Sequence, residues 1–393
     1  MGAKSYPYLK EGVDYQSFKF PPELNRVPSR RVETTPDEET RVWRLVKKNM
    51  MVSLHDHPTM VPENIMELPE LIRQGRDFTG YEGLKASGLN VVFDNMLDGT
   101  SMITSQSGWK WHDVLYDLGM RLCDFAHNHE AVRVVRRIED MYLAKAHGQV
   151  GIVMSVEAAT PIENEVDRLD ILYGLGVRCM GLVYSEANAL GGGLKEARDG
   201  GLTQLGRHAV RRMNQLGLAI DVSHTGDQTA LDAIELSEQP VLITHAGART
   251  LWNTPRMKPD EVIKACAERG GVFGIEAAPH TTLTERHKAH SLDGYMEHFE
   301  YVANLVGIDH VAFGPDTLFG DHAGLHHVFS RAMSISSAQT GPHFPTVDYV
   351  DGLENPAEFP NIIRWLVTHG YTDADIQKVA GANVVRVLEQ IWL

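Results

Sequence analysis

Six side chains in this sequence have the chemistry to hold metal ions, and their spacing is regular. His55 and His57 lie in Ser53-Leu54-His55-Asp56-His57-Pro58, Glu157 follows Met154-Ser155-Val156, and His224 follows Asp221-Val222-Ser223. His245 lies in Ile243-Thr244-His245-Ala246-Gly247, and Asp316 follows Phe313-Gly314-Pro315. Each stands where a short apolar run stops. Alternate residues of a strand share a face, so His55 and His57 can address one ion together. A single His-x-His is weak evidence. His127 and His129 repeat the spacing in a polar, helical stretch, where i and i+2 diverge by about 200°, and they read as surface histidines. Any one of the six has a plain explanation as a hydrogen-bonded strand-end polar group. Five strand ends carrying such groups together do not.

The donors are neutral imidazole and carboxylate without cysteine, which suits Zn²⁺ or another borderline divalent ion at a catalytic site. Four histidines and two acids exceed the needs of one tetrahedral ion, whereas two adjacent ions would use them all. Glu157 is the natural bridge, because carboxylates bridge and neutral histidines do not. Asp316 is a candidate both as ligand and as general base, and the sequence leaves the two roles open.

The elements that must position these groups can be read from apolar runs. Strands are expected at 51–54, 90–94, 151–155, 177–184, 219–223, 241–244, 271–275 and 310–313, each followed by helical periodicity. In 203–216 the stripe Leu205, Val210, Met213 and Leu216 marks such a helix, and Pro259-Asp260 opens another that Gly270 closes. Eight strands alternating with helices imply a parallel barrel or a doubly wound sheet. In a barrel all eight strand ends meet on one face. Residues 1–41 read as an extended arm packed on the body or on a second subunit, and 42–393 as one catalytic domain. A long loop at about 318–356, holding His322, His326, His327, Gly341 and Pro342, sits where a lid or specificity loop would.

Composition sets the limits. The 393 residues carry a formal charge of −15, which argues against nucleic acid or an anionic membrane as partner. Cys123, Cys179 and Cys266 lack CxxC spacing and are expected to be buried free thiols of a reducing compartment. No run reaches the roughly 18 apolar residues of a membrane span, and the first residues lack a signal-peptide pattern. A cytoplasmic location is expected.

The set His55/His57, Glu157, DVSH, THAGAR and GPD resembles the membrane (renal) dipeptidase family, peptidase family M19, of binuclear amidohydrolase-like metallohydrolases. The resemblance runs from about residue 50 to the C-terminus. It includes Gly201-Leu202-Thr203-Gln204-Leu205-Gly206, Asn253-Thr254-Pro255-Arg256 and Gly352-Leu353-Glu354. It implies a distorted (β/α)₈ TIM barrel of the metallo-dependent hydrolase type. Glu157 would bridge two ions, His224 and His245 would hold one, and the first-strand pair the other. Arg256 would clamp a carboxylate on a small-molecule substrate, a task suited to guanidinium, and family members often form homodimers. Two departures stand out. His57 replaces the family's aspartate, and Tyr184 replaces a histidine after strand four, while Asn188 keeps a family asparagine at the substrate site. A tyrosine hydroxyl can still donate to a developing oxyanion.

The expected function is therefore amide hydrolysis, of a dipeptide-like or N-acyl bond, by a hydroxide bridging two ions, with Asp316 and Tyr184 assisting. The rivals are a non-peptide amidohydrolase or lactonase, and a metal-binding homologue without turnover. Gly191-Gly192-Gly193 with Lys195 lacks the end of a phosphate loop and reads as a flexible loop. HExxH and GxSxG are absent. Glu276 reads equally as a substrate contact or a solvated acid. Trp109, Trp111 and Trp252 read as core more readily than as pocket.

Overall fold

The structure, a computed structural model, describes residues 2–96, 110–279, 281, 283–328 and 349–392. All eight expected strands form, and they pair in sequence order with every neighbour parallel. Counting barrel strands only, β1 is Val52–Asp56, β2 Val91–Met96, β3 Val150–Val156 and β4 Val177–Gly181. β5 is Ala219–Asp221, β6 Leu242–Ala246, β7 Val272–Ile275 and β8 Val311–Phe313. A short extra strand, Val132–Val134, pairs on the side of β3. The first and last strands meet beyond their ends: Asp316 N donates to His55 O (2.9 Å) and His57 N to Thr317 O (2.8 Å). The Asp56 carboxylate locks this seam by accepting from Thr317 N (2.8 Å) and Thr317 Oγ1 (2.7 Å). The result is a nearly closed (β/α)₈ barrel.

Helices follow the strands as the periodicity requires. Gln204–Leu216 starts at Thr203, whose hydroxyl accepts from Gly206 N, and stops at Gly217 with φ 70°, a left-handed position that favours glycine. Asp260–Glu268 follows Pro259. Inside the barrel, Val52, Leu54, Val91, Phe93, Val153, Cys179, Ala219, Leu242, Val272 and Ala312 form one apolar plug. The C-terminal helix Asn383–Ile391 caps its lower end with Val384, Val387, Leu388 and Ile391. That helix is pinned under the strand starts by Asn383 Nδ2, which donates to Val311 O (2.8 Å), and by Trp392 Nε1, which donates to Arg178 O (3.3 Å).

Several expectations are corrected. The fourth strand ends at Gly181 rather than 184, and the fifth at Asp221 rather than 223, because the Asp221 carboxylate accepts from Ser223 N and turns the chain. A helix, Pro36–Lys48, begins inside the stretch read as arm, started by a reciprocal cap between Thr35 and Glu38. Residues before it lie on the body of the same chain: Tyr6 is buried, its N–H donating to Asp124, and Arg26 pairs with Glu354 at 2.5 Å. Cys123 is exposed, not buried, because it faces outward from helix Trp111–His127 near the Tyr8 hydroxyl; Cys179 and Cys266 are buried, and all three are free. Gly191–Gly193 is a packed turn rather than a flexible loop. A Cβ on Gly193 would lie 2.5 Å from backbone atoms of Ser185, so these glycines permit close approach. Of the long segment after β8, a helix His322–Val328 is described, while Gly341 and Pro342 lie outside the described residues, as does Trp109. Among the described residues no helix is long and apolar enough to cross a membrane.

Candidate metal centre

The six ligand-competent side chains converge at the C-terminal end of the barrel, and all are buried. Two of them reach it through an irregularity. Val52 and Leu54 point into the apolar plug, so strict alternation would turn His55 outward. The pairing of β1 with β2 slips by one residue between Ser53 and Asp56, a β-bulge that inverts the phase and turns His55 and His57 inward. β6 uses the same device: its pairing with β7 slips between Ile243 and Ala246, which brings His245 inward above Leu242. β3 and β8 need no such help. Val153, Ser155 and Glu157 alternate, as do Ala312, Gly314 and Asp316. Gly314 and Gly181 let neighbouring backbones close in, since a Cβ would lie 2.1 Å from Thr244 O and 1.9 Å from Glu157 O respectively.

Glu157 Oε1 lies 3.0 Å from His224 Nε2, 3.4 Å from His245 Nε2 and 3.9 Å from His55 Nε2. Asp316 Oδ1 lies 3.0 Å from His57 Nε2 and 3.2 Å from His55 Nε2. The ring nitrogens also face one another, at 2.8 Å for His224 with His245 and 3.3 Å for His55 with His57. Asp316 holds a left-handed backbone, φ 58°, rare for a non-glycine residue, and strain of this kind gathers at functional sites.

Second partners decide which nitrogen each ring presents. His57 Nδ1 is 2.7 Å from the Asn95 carbonyl, which only accepts, so Nδ1 donates there and Nε2 is the nitrogen that faces Asp316. The Thr244 hydroxyl donates to Asp221 Oδ2 (2.8 Å) and therefore accepts from His245 Nδ1 (2.8 Å), with the same outcome. The Asn95 side-chain amide lies 2.7 Å from His55 Nδ1. Its nitrogen faces the ring and its oxygen is buried without a hydrogen-bond partner; the exchanged orientation would pair that oxygen with an Nδ1–H of His55. The Nδ1 atoms of His57 and His245 are thus held by acceptors, leaving Nε2 of both rings facing the carboxylates.

Electrostatics agree with a cation site. Burial holds His224 and His245 well below the usual histidine range and lowers His55, so these rings stay neutral. Burial would lower His57 too, but the Asp316 carboxylate outweighs it and holds that ring up at about 9. Burial opposes ionisation of Asp316, yet the imidazoles of His55 and His57 keep it well below the carboxylate range. A buried anionic pocket that retains a proton on one imidazole is one that a metal cation would neutralise. Three overlapping groups have their ligand atoms within 4.8 Å: His55, His57 and Asp316; His55, Glu157 and His245; and His245, Glu276 and Asp316. This donor set fits divalent ions of the zinc type.

The remaining expected residues fall around this cluster. Tyr184 stacks on His224, with ring centroids 4.2 Å apart and planes at 18°. Arg256 is fully buried; it pairs with Glu276 and donates to His245 O (3.1 Å) and Ser223 O (3.4 Å). Asn188 is spent on structure, donating to Leu182 O (2.8 Å) and Thr160 Oγ1 (3.3 Å) and accepting from Leu190 N (2.8 Å). Trp111 packs at the edge of the core, and Trp252 forms a small cluster with Met257 and Leu283. Sequence reasoning missed Asn95, Asp221 and Thr244, which hold the rings. Asn95 was within reach, being the inward position after Val91 and Phe93. Glu276 stands in the same relation to Val272 and Gly274; it is fully buried, and burial lifts its carboxyl to about 7 against the pull of Arg256.

A model of the membrane dipeptidase family, peptidase family M19, matches residues 112–337 and 338–392. The chain belongs to peptidase family M19. Among curated relatives, dipeptidase tcpJ of Claviceps purpurea is 26% identical over 67% of this chain and 56% of its own length. Dipeptidase aclJ of Aspergillus oryzae is 29% identical over 62% of this chain and 52% of its own. The chain thus spans about half the length of these relatives. The crystal structure of an amidohydrolase from Pseudomonas aeruginosa is 26% identical, with a TM-score of 0.74 over 89% of this chain and 99% of that one. The M19 assignment and the barrel agree with what the motifs implied.

Proposed function

We propose that this chain is a metal-dependent hydrolase that cleaves an amide bond of a small dipeptide-like or N-acyl substrate. The observation that carries this reading is the convergence of four imidazoles and two carboxylates, with Nδ1 of His57 and His245 held from behind. Two divalent ions, zinc first among candidates, would be held by His55, His57, Glu157, His224, His245 and Asp316, and would supply carbonyl polarisation and a hydroxide at neutral pH. Glu157, in reach of both histidine pairs, suits the bridging position. Asp316 is ionised, strained into place and the most exposed of the six, so it is the group to take the proton from the attacking water. It then returns that proton to the nitrogen as the C–N bond breaks. Tyr184, flat against His224, is the side chain beside the cluster suited to donate to the carbonyl oxygen.

A second reading, hydrolysis of a non-peptide amide or lactone, is favoured by one observation: Arg256 is already engaged by Glu276. The test is a panel of dipeptides, N-acyl amines and lactones given to the metal-loaded protein. Turnover of amides supports the first reading, turnover of lactones alone the second. Full metal occupancy without any turnover would make the chain a binding homologue and end both.

A further inference from the structure

We infer that Glu276 cancels Arg256 as a carboxylate receptor, so that this site selects ligands ending in a neutral group rather than a free carboxylate beside the scissile bond. The substrate language rests on the hydrolase reading above; the charge argument does not.

Glu276 follows Val272 and Gly274 on the inward face of β7, and its carboxylate is in the same close set of atoms as His245 and Asp316. Its ion pair with Arg256 is wholly buried, at 0% and 1% exposure. Two carbonyls, Ser223 O and His245 O, hold the guanidinium in that orientation. Clamping a carboxylate needs two parallel N–H groups and an unspent positive charge. Here the guanidinium is already taken up by the Glu276 carboxyl and two backbone carbonyls, and that carboxyl lies toward the metal cluster. An arriving carboxylate would have to displace Glu276 and leave it buried without its cation, near Asp316. Breaking a buried pair in this way is strongly unfavourable. An amide or ester terminus displaces nothing. Selection of this kind works by repelling the wrong ligand, not by an added attraction.

The experiment is calorimetric titration of the metal-loaded full chain with two phosphinic dipeptide mimics, alike except that one ends in carboxylate and the other in carboxamide. The wild type is expected to bind the carboxamide at least about tenfold more tightly. Glu276→Gln, which frees the guanidinium charge, is expected to reverse the order, and Glu276→Asp, which keeps the anion, to preserve it. Tighter binding of the carboxylate by the wild type, an unchanged ratio in Glu276→Gln, or binding of neither mimic overturns the inference. Binding in the expected order without hydrolysis of any amide would leave it standing and remove the hydrolase reading instead.

Discussion

The main-chain oxygen of Asn95 lies 2.7 Å from Nδ1 of His57, while the side-chain amide of the same residue lies 2.7 Å from Nδ1 of His55. One residue of β2 therefore holds both first-strand histidines by their Nδ1 atoms.

Replacing Asn95 by Leu removes the hold on His55 and keeps the backbone hold on His57. Second partners of metal-bound histidines typically contribute 10–100-fold in metal affinity. Asn95→Leu is expected to weaken metal binding by roughly that factor with little change in circular dichroism. Competition with a chelator of known affinity measures it, and an unchanged affinity would show that Asn95 does not position His55.

Asp316 is assigned the proton transfer. Asp316→Asn keeps size and much of the hydrogen bonding but removes the base, so kcat is expected to fall by about 10²–10⁴-fold. Metal content by atomic emission should stay near the wild-type value. Retained activity would take Asp316 out of the mechanism; lost metal would make it chiefly a ligand.

Glu39 offers a pH prediction away from the site. Hydrogen bonds from the Arg364 guanidinium hold its carboxyl at about 2, below an ordinary 4.5, and tie the first helix to helix Pro360–Thr368. A depressed acid stabilises the fold fully above its unfolded pKa and loses that contribution as pH falls through the folded one. The stability difference between wild type and Glu39→Gln should therefore be constant above about pH 5 and shrink toward pH 2. Urea titrations across that range test it, and a difference that grows on acidification would refute it.

The limits of the sequence reading have physical causes. Eight strands were legible because short apolar runs alternate with helical periodicity, although the runs of β4 and β5 outlast their strands. The site was legible because its donors are chemically unusual at strand ends. The reason His55 and His57 face inward was not: alternation from Leu54 points them the wrong way, and only the bulge at Ser53–Asp56 restores it. Bulges leave no mark in composition. The partner of Arg256 was hidden for another reason, since Glu276 is 20 residues away, just past the end of the next strand, and only the pairing of β6 with β7 brings the two together. The packing of Gly191–Gly193 against Ser185 and Asp199 was equally invisible, because a glycine run reads the same whether it gives freedom or close approach.

The central claim is that the clustered histidines and acids hold ions that drive hydrolysis. The direct measurement is metal content per chain with amide hydrolysis assayed before chelation, after it, and after Zn²⁺ is restored. About two ions per chain are expected, with activity that disappears and returns with them. Activity indifferent to chelation would contradict the claim.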